Sequence, residues 1–149
     1  MGKATGSTGA AKTGAAKTGK TGKAAAPGAA DDGRMNLVVV CGECSGPPEL
    51  RELPSGRRLA ALAIRSRDVE GRATSVPVTV WEPAAWVEDL DTGAEVVVVG
   101  AVRRRFFRTA AGTGAARVDV EAAFVGRAGQ RRQRDAARRR AEEVLAQLW

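Results

Sequence analysis

Residues 102–108 read Val-Arg-Arg-Arg-Phe-Phe-Arg, four arginines and two aromatic rings in seven consecutive positions. A guanidinium neutralises a phosphate and also stacks on flat surfaces. An aromatic ring offers such a surface to an unpaired base, so cations alternating with rings suit a single-stranded nucleic acid. The same composition also suits a solvated edge strand whose charges prevent sheet-to-sheet association. Other chemistry is poorly provided for. The chain has no histidine, which excludes His-based triads and His-ligated metals and weakens any enzymatic reading. Cys41-Gly-Glu-Cys44 is a lone Cys-x-x-Cys without further thiol or imidazole ligands. It reads as structural, with a redox or metal role as the alternative. Thr18-Gly19-Lys20-Thr21 only echoes the end of a phosphate-binding loop and lies on no strand-to-helix turn. These observations favour a binding protein over an enzyme, with no metal and no cofactor.

The elements that must position this block lie in the middle of a 149-residue chain of net charge +7. Residues 1–35 carry +4, residues 36–126 carry −1 and residues 127–149 carry +4. The central part is therefore nearly neutral, and attraction to polyanions must come from a local stripe or from the ends. Residues 1–34 form a basic low-complexity arm in which Lys-Thr-Gly recurs at 12, 17 and 20. Up to Gly33 it has no Leu, Ile, Val or Phe to offset the entropy of ordering, so disorder is expected. Its lysines suit non-specific phosphate contact, or they serve only to solubilise. No apolar run approaches the ~20 residues that span a bilayer. With two cysteines and no secretory leader, the expected setting is reducing and cytoplasmic.

From Asn36 onward the chain reads as short strands. Leu37–Cys41 is a buried run, broken by Ser45-Gly46-Pro47-Pro48, and Pro54-Ser55-Gly56 makes a turn. In Leu59–Ser66, alternation puts Ala60, Leu62 and Ile64 on one face. In Ser75–Glu82, Val76, Val78 and Val80 face the core, while Pro77 marks an edge, a bulge or a strand start. Pro83–Leu90 is a short helix whose Trp86, Val87 and Leu90 plug the core. Ala94–Arg108 is a long strand with Gly100 inside it, where a tight bend is expected. Arg117–Val125 follows a Gly-rich hairpin and places Val118, Val120, Ala122 and Phe124 on one face. Three strands, a helix and two strands is the order of a five-stranded OB-fold barrel, a mainly β fold. Ala128–Trp149 reads as a basic helix with a narrow stripe of Ala137, Ala141, Val144, Leu145 and Leu148. Arginines near its start oppose the helix dipole, so it needs a packed surface or an acidic partner.

Residues 36–126 resemble the bacterial single-stranded DNA-binding protein family (SSB). The likeness rests on Asn36-Leu-Val-Val-Val-Cys-Gly42, Pro48-Glu-Leu-Arg51 and Pro54-Ser-Gly56. It continues through Val78-Thr-Val-Trp81, Ala84-Ala-Trp-Val87, Gly93-Ala-Glu-Val96 and Val99-Gly-Ala-Val-Arg103. The resemblance implies an OB domain at 35–126, and the composition adds the basic arm at 1–34 before it and the basic helix at 127–149 after it. It implies sequence-tolerant binding of single-stranded DNA in replication, repair or recombination, in the bacterial cytoplasm with the nucleoid. It also implies a homo-oligomer, dimer or tetramer. The chain departs from the family in a short loop at Arg67–Thr74, in Ser75 where an aromatic is usual, and in a basic helix where an acidic tail is usual. The alternative is an OB-fold assembly module whose basic ends bind duplex DNA or acidic partner proteins.

Matched to the family's motifs, Trp81 and Phe107 fall at stacking positions and Arg103 and Arg105 at basic ones. Strand parity agrees: if Val80 faces inward, Trp81 faces out and wants a base, a second subunit or a cap. Arg103, Arg105 and Phe107 share one face of their strand. Arg104 and Phe106 take the other, with Phe106 read as packing. Val97 and Val99 are apolar on the outer parity, which suggests a covered surface and hence self-association. Arg65, Arg67 and Arg72 either continue the basic path or are ordinary solvated charges.

Overall fold

A computed structural model describes residues 34–148, apart from the side chain of Leu148. The remainder of the Lys-Thr-Gly arm and Trp149 lie outside the described residues. Met35–Ala146 form one compact unit, and the fold below is that unit's. Its elements are β1 (Val38–Cys44), β2 (Glu49–Glu52), β3 (Arg58–Arg67), β4 (Ala73–Trp81), α1 (Ala85–Glu88), β5 (Glu95–Arg108), β6 (Gly114–Arg127) and α2 (Arg131–Leu145). The sheet runs β1-β5-β6-β4-β3-β2 and closes through a further β1–β3 pairing. This is the five-stranded OB barrel, with its helix between the third and fourth barrel strands.

The sixth strand, β2, is the second half of the first barrel strand. Glu43 and Cys44 pair with Arg65 and Ile64 of β3, and Glu49–Glu52 resume on the same neighbour opposite Ala61–Arg58. Pro47 and Pro48 lack the N–H that an unbroken ladder would need, so the strand splits there. Pro77 lies where β4 pairs only with β3, since β6 joins β4 at Val78 and Thr79. Of an edge, a bulge or a strand start, the edge is the position it takes. Glycine is needed in β5 for close approach: a Cβ at Gly100 would run into the backbone carbonyl of Glu121.

The core is the alternation made solid. Ala60, Leu62, Ile64, Val78, Val80, Val96, Val98 and Val120 are buried together, with Val87 and Leu90 of the helical segment closing the barrel. Each fully buried Val, Leu or Ile contributes about 1.5–3 kcal/mol. Trp86 packs against this core and carries the guanidinium of Arg127 over its ring at 4.6 Å. The plug is therefore where the sequence places it.

Two expectations about faces need correction. The β5–β6 register shifts between Val99 and Gly100: Val99 pairs with Phe124, whereas Gly100 pairs with Ala122. The extra residue in β6 reverses its alternation. Phe124 thereby leaves the Val120 face and joins Val97 and Val99 on the outside of the barrel. There α2 packs on them through Ala137 and Ala141, with Leu37 and Ala128 at the margin. The surface over Val97 and Val99 is thus covered by the chain's own helix rather than by a second copy. α2 in turn has the packed surface that its dipole-opposed arginines require.

Beyond Gly100 the long β5–β6 hairpin leaves the barrel. The Asn36 side-chain amide grips both backbone groups of Val102, each at 2.8 Å, and so prolongs the β1 edge to the point of exit. Val102 shares the parity of the buried Val96 and Val98 but is 42 % exposed, because the core ends at its cross-strand partner Val120.

Candidate nucleic-acid interface

β4 and β6 run parallel, with Val78 opposite Val120 and Thr79 opposite Glu121. β5 lies on the far side of β6, with Arg103 opposite Asp119. This three-strand arrangement brings Trp81, Arg103, Arg105, Asp119 and Glu121 to one outer face. Trp81 faces outward at the end of β4, half-buried, and its indole Nε1 donates to Glu121 Oε2 at 2.9 Å. The same carboxylate oxygen accepts from an Arg105 terminal nitrogen at 2.9 Å. Arg105 Nε also donates to Asp119, with the nearer oxygen at 3.1 Å. Arg103 Nε lies 3.4 Å from the other Glu121 oxygen. Thr79 Oγ1 donates to the buried Asp119 carboxylate.

The charges answer one another. Burial pushes Glu121 toward the neutral form, but hydrogen bonds from Arg105 and Trp81 and the charges of Arg103 and Arg105 outweigh it. Its carboxyl is held below the usual range and remains ionised. Burial likewise opposes the Arg105 cation, and its bonds to Glu121 and Asp119 raise its pKa above the ordinary value. Arg105 is thus an oriented cation already engaged by two carboxylates. A phosphate arriving there competes with Glu121.

Arg57 is a further member that the sequence did not mark. It follows the Pro54-Ser55-Gly56 turn, and its guanidinium lies over the Trp81 ring at 4.1 Å from the centroid. Arg105 stands 6.0 Å from the same ring. Trp81 is therefore bonded at its edge and covered on one face by a cation, which holds the ring in one orientation. Asp119 and Glu121 were also unmarked. Their alternation with Val118 and Val120 is a visible signal that they face away from the core, although not that they meet Trp81.

Phe107 lies two positions beyond Arg105 on β5, opposite Ala115, and is 48 % exposed. A small cross-strand partner leaves its ring open. The arginines of β3 and its following turn are elsewhere. Arg65 pairs with Glu43 at 2.7 Å, Arg67 donates to the Gly71 carbonyl at 3.0 Å, and Arg72 pairs with Asp68 and Glu70. Trp81 pairs with Leu59 at one end of the β3–β4 ladder and Arg67 with Ala73 at the other. At ~3.4 Å per residue that separation is roughly 25 Å. The structure thus brings together Trp81, Arg103 and Arg105 around Glu121, carries Phe107 further out along the same face of the hairpin, and leaves Arg65, Arg67 and Arg72 in a separate group with partners of their own. Cys41 is exposed and Cys44 buried, and burial pushes the Cys44 thiol up. Among the described residues no cluster of His, Cys, Asp or Glu could hold a metal ion. Also among these residues, no helix is long and apolar enough to cross a membrane.

No protein-family model matches the chain. It is 34 % identical over 106 residues to a single-stranded DNA-binding protein of Corynebacterium glutamicum, a match that covers 63 % of this chain and 47 % of that protein. It is 30 % identical over 101 residues to a single-stranded DNA-binding protein of Mycolicibacterium smegmatis, covering 60 % and 61 % of the two chains. Among solved structures, the wild-type single-stranded DNA binding protein from Thermus aquaticus superposes with a TM-score of 0.52 at 25 % identity, covering 64 % of this chain and 41 % of that one. The matched part spans between about half and three-fifths of the length of these curated relatives. In sequence and in fold, the chain resembles bacterial single-stranded DNA-binding proteins.

Proposed function

We propose that this protein binds single-stranded DNA without sequence preference and protects it during replication, repair or recombination, as a binding protein rather than an enzyme. The observation that carries this reading is the outer face of β4, β6 and β5. There one oriented indole, Trp81, stands beside Arg57, Arg103 and Arg105, with an open Phe107 ring further along the same strand face. Rings for bases beside cations for phosphates is what sequence-tolerant strand binding requires. The likeness to proteins named for that activity supports the same reading. We include in the proposal a cytoplasmic, nucleoid-associated setting, assembly as a dimer or tetramer, and the division into arm, barrel and basic helix. Arg65, Arg67 and Arg72 join the path only where a strand runs on along β3.

The test is titration of labelled oligo-dT into a Trp86→Phe, Trp149→Phe background, so that Trp81 alone reports. Quenching of Trp81, with affinity that falls steeply with salt, is expected. Absence of quenching at saturating oligonucleotide would overturn the reading.

A second reading is favoured by α2, whose Arg132 and Arg139 are solvent-exposed. Here the barrel is an assembly module and its basic ends hold duplex DNA or acidic proteins. Because α2 covers Val97 and Val99, truncation would confuse the comparison. Arg132→Gln with Arg139→Gln is the cleaner probe. A loss of duplex binding with single-strand affinity retained would favour this second reading.

A further inference from the structure

The β5–β6 hairpin has a second face that the site above does not use. Where it leaves the barrel, side chains that would have faced the core face solvent instead. Phe106 is 76 % exposed and Val118 is 56 % exposed. Phe106 lies opposite Ala116, so no cross-strand ring covers it, and the Arg104 guanidinium stands over its ring at 5.1 Å from the centroid. The reading of Phe106 as a packing residue is therefore wrong within this chain. A cation over an aromatic face recurs here in the form already seen at Arg57 and Trp81. At the tip, a cavity of about 610 Å³ is lined by Arg104, Phe106, Phe107, Arg108 and the Gly114–Ala116 backbone strand. Both rings border it, so the two hairpin faces are joined around one edge.

Two exposed rings, Phe106 and Phe107, border the same pocket, and an apolar patch of that kind marks a binding surface rather than a stray exposed side chain. Between Arg103 and Arg117 the hairpin carries Arg103, Arg104, Arg105, Arg108 and Arg117 and no acidic residue. A second copy docked symmetrically would set these five cations against the same five. A polyanion with flat bases meets both features at once.

We propose that Phe106, with Arg104, forms a second base-stacking position on the opposite face of the hairpin from Phe107, so that a bound single strand turns around the hairpin tip instead of ending on the Trp81 face. This rests on the single-strand reading above. It adds a length dependence that the reading alone does not contain. A strand long enough to reach the tip and fold over it should feel Phe106, and a short one held at Trp81 should not.

The experiment measures affinity of the full chain for oligo-dT of about 6 and about 20 nucleotides, one within and one beyond the usual reach of one OB barrel. Phe106→Ala should weaken binding of the long oligomer roughly five- to one-hundred-fold and leave the short one unchanged. Phe106→Trp should restore long-oligomer affinity and give a quenching signal absent with the short one. Because Phe106 touches solvent over most of its surface, neither variant should alter the thermal midpoint. Equal affinities of wild type and Phe106→Ala for both lengths would overturn the second position while leaving the Trp81 reading in place. A changed molar mass of Phe106→Ala with unchanged long-oligomer affinity would overturn it in favour of a second copy. Failure of the wild type to bind either length would remove both readings.

Discussion

Trp81 and Glu121 are 40 positions apart in the chain, yet the indole Nε1 of one donates to the carboxylate of the other at 2.9 Å. The bond places an anion among the guanidinium groups of Arg57, Arg103 and Arg105. Glu121 orients the ring and, through Arg105 and Arg103, partly neutralises the cations that a phosphate would use. Orientation and competition are thus properties of one side chain.

Glu121→Gln separates them. The amide oxygen can still accept from Trp81, but the charge is gone. Single-strand affinity should rise, and the salt dependence should steepen by up to about 0.7 in log–log slope, the share of one phosphate contact on a single strand. Fluorescence titration at several salt concentrations checks this. An unchanged slope would mean that Arg103 and Arg105 are not phosphate contacts.

Stacking is tested by Trp81→Ala combined with Phe107→Ala. Each lost stack should cost about 1–3 kcal/mol of binding free energy. Direct binding to oligo-dT gives the figure, and wild-type affinity in the double variant would exclude these rings from the interface.

Arg57 and Arg67 provide a contrast in position. Arg57 stands over Trp81, whereas Arg67 is near the far end of the β3–β4 ladder. Arg57→Ala should lower affinity for a short oligomer and reduce its salt slope by about 0.7. Arg67→Ala should leave the short oligomer untouched. Equal effects of the two would place the strand along β3.

The depressed pKa of Glu121 has a consequence for stability. Its ionised form is favoured in the folded state, so its contribution is complete above the ordinary glutamate value of ~4.3 and disappears as pH falls through the lower folded-state value. The thermal midpoint of the wild type should therefore drop in that acid window, and Glu121→Gln should lose that part of the drop. Calorimetry of both proteins from about pH 2 to pH 6 provides the comparison.

Gly100→Ala should destabilise the barrel, because the new methyl meets the Glu121 backbone rather than a flexible side chain. A loss of about 1–3 kcal/mol is expected, seen as a lower urea midpoint with an unchanged slope. Since Glu121 must shift, the Trp81 emission should change as well. A midpoint equal to wild type would show that β5 and β6 part easily at the bulge.

Much of this was legible in the chain itself. Alternation in Ala60-Ala-Leu-Ala-Ile64 and Val76-Pro-Val-Thr-Val80 identified the core face, and therefore the outward direction of Trp81, because neighbouring strand side chains must point oppositely. Trp86, Val87 and Leu90 declared the plug through helical spacing. The chain order of strands and helix indicated the OB barrel, and parity put Arg103, Arg105 and Phe107 on one face. These are local rules that a few consecutive residues suffice to apply.

The tertiary structure decided what depends on partners distant in sequence. One extra residue in β6 turned Phe124 outward, and only the β5 register reveals it. Val97 and Val99 advertised a covered surface, but the cover came from α2, some 40 residues later. Arg105 read only as a basic position on the outer face, and the parallel β4–β6 pairing with the β5 neighbour then set Glu121 and Asp119 against it. Phe106 read as packing until the hairpin was seen to outrun the barrel. Side-chain direction follows from the chain's own geometry, whereas what a side chain meets is set by which strands lie next to each other and in what register, and that is fixed only when the barrel closes.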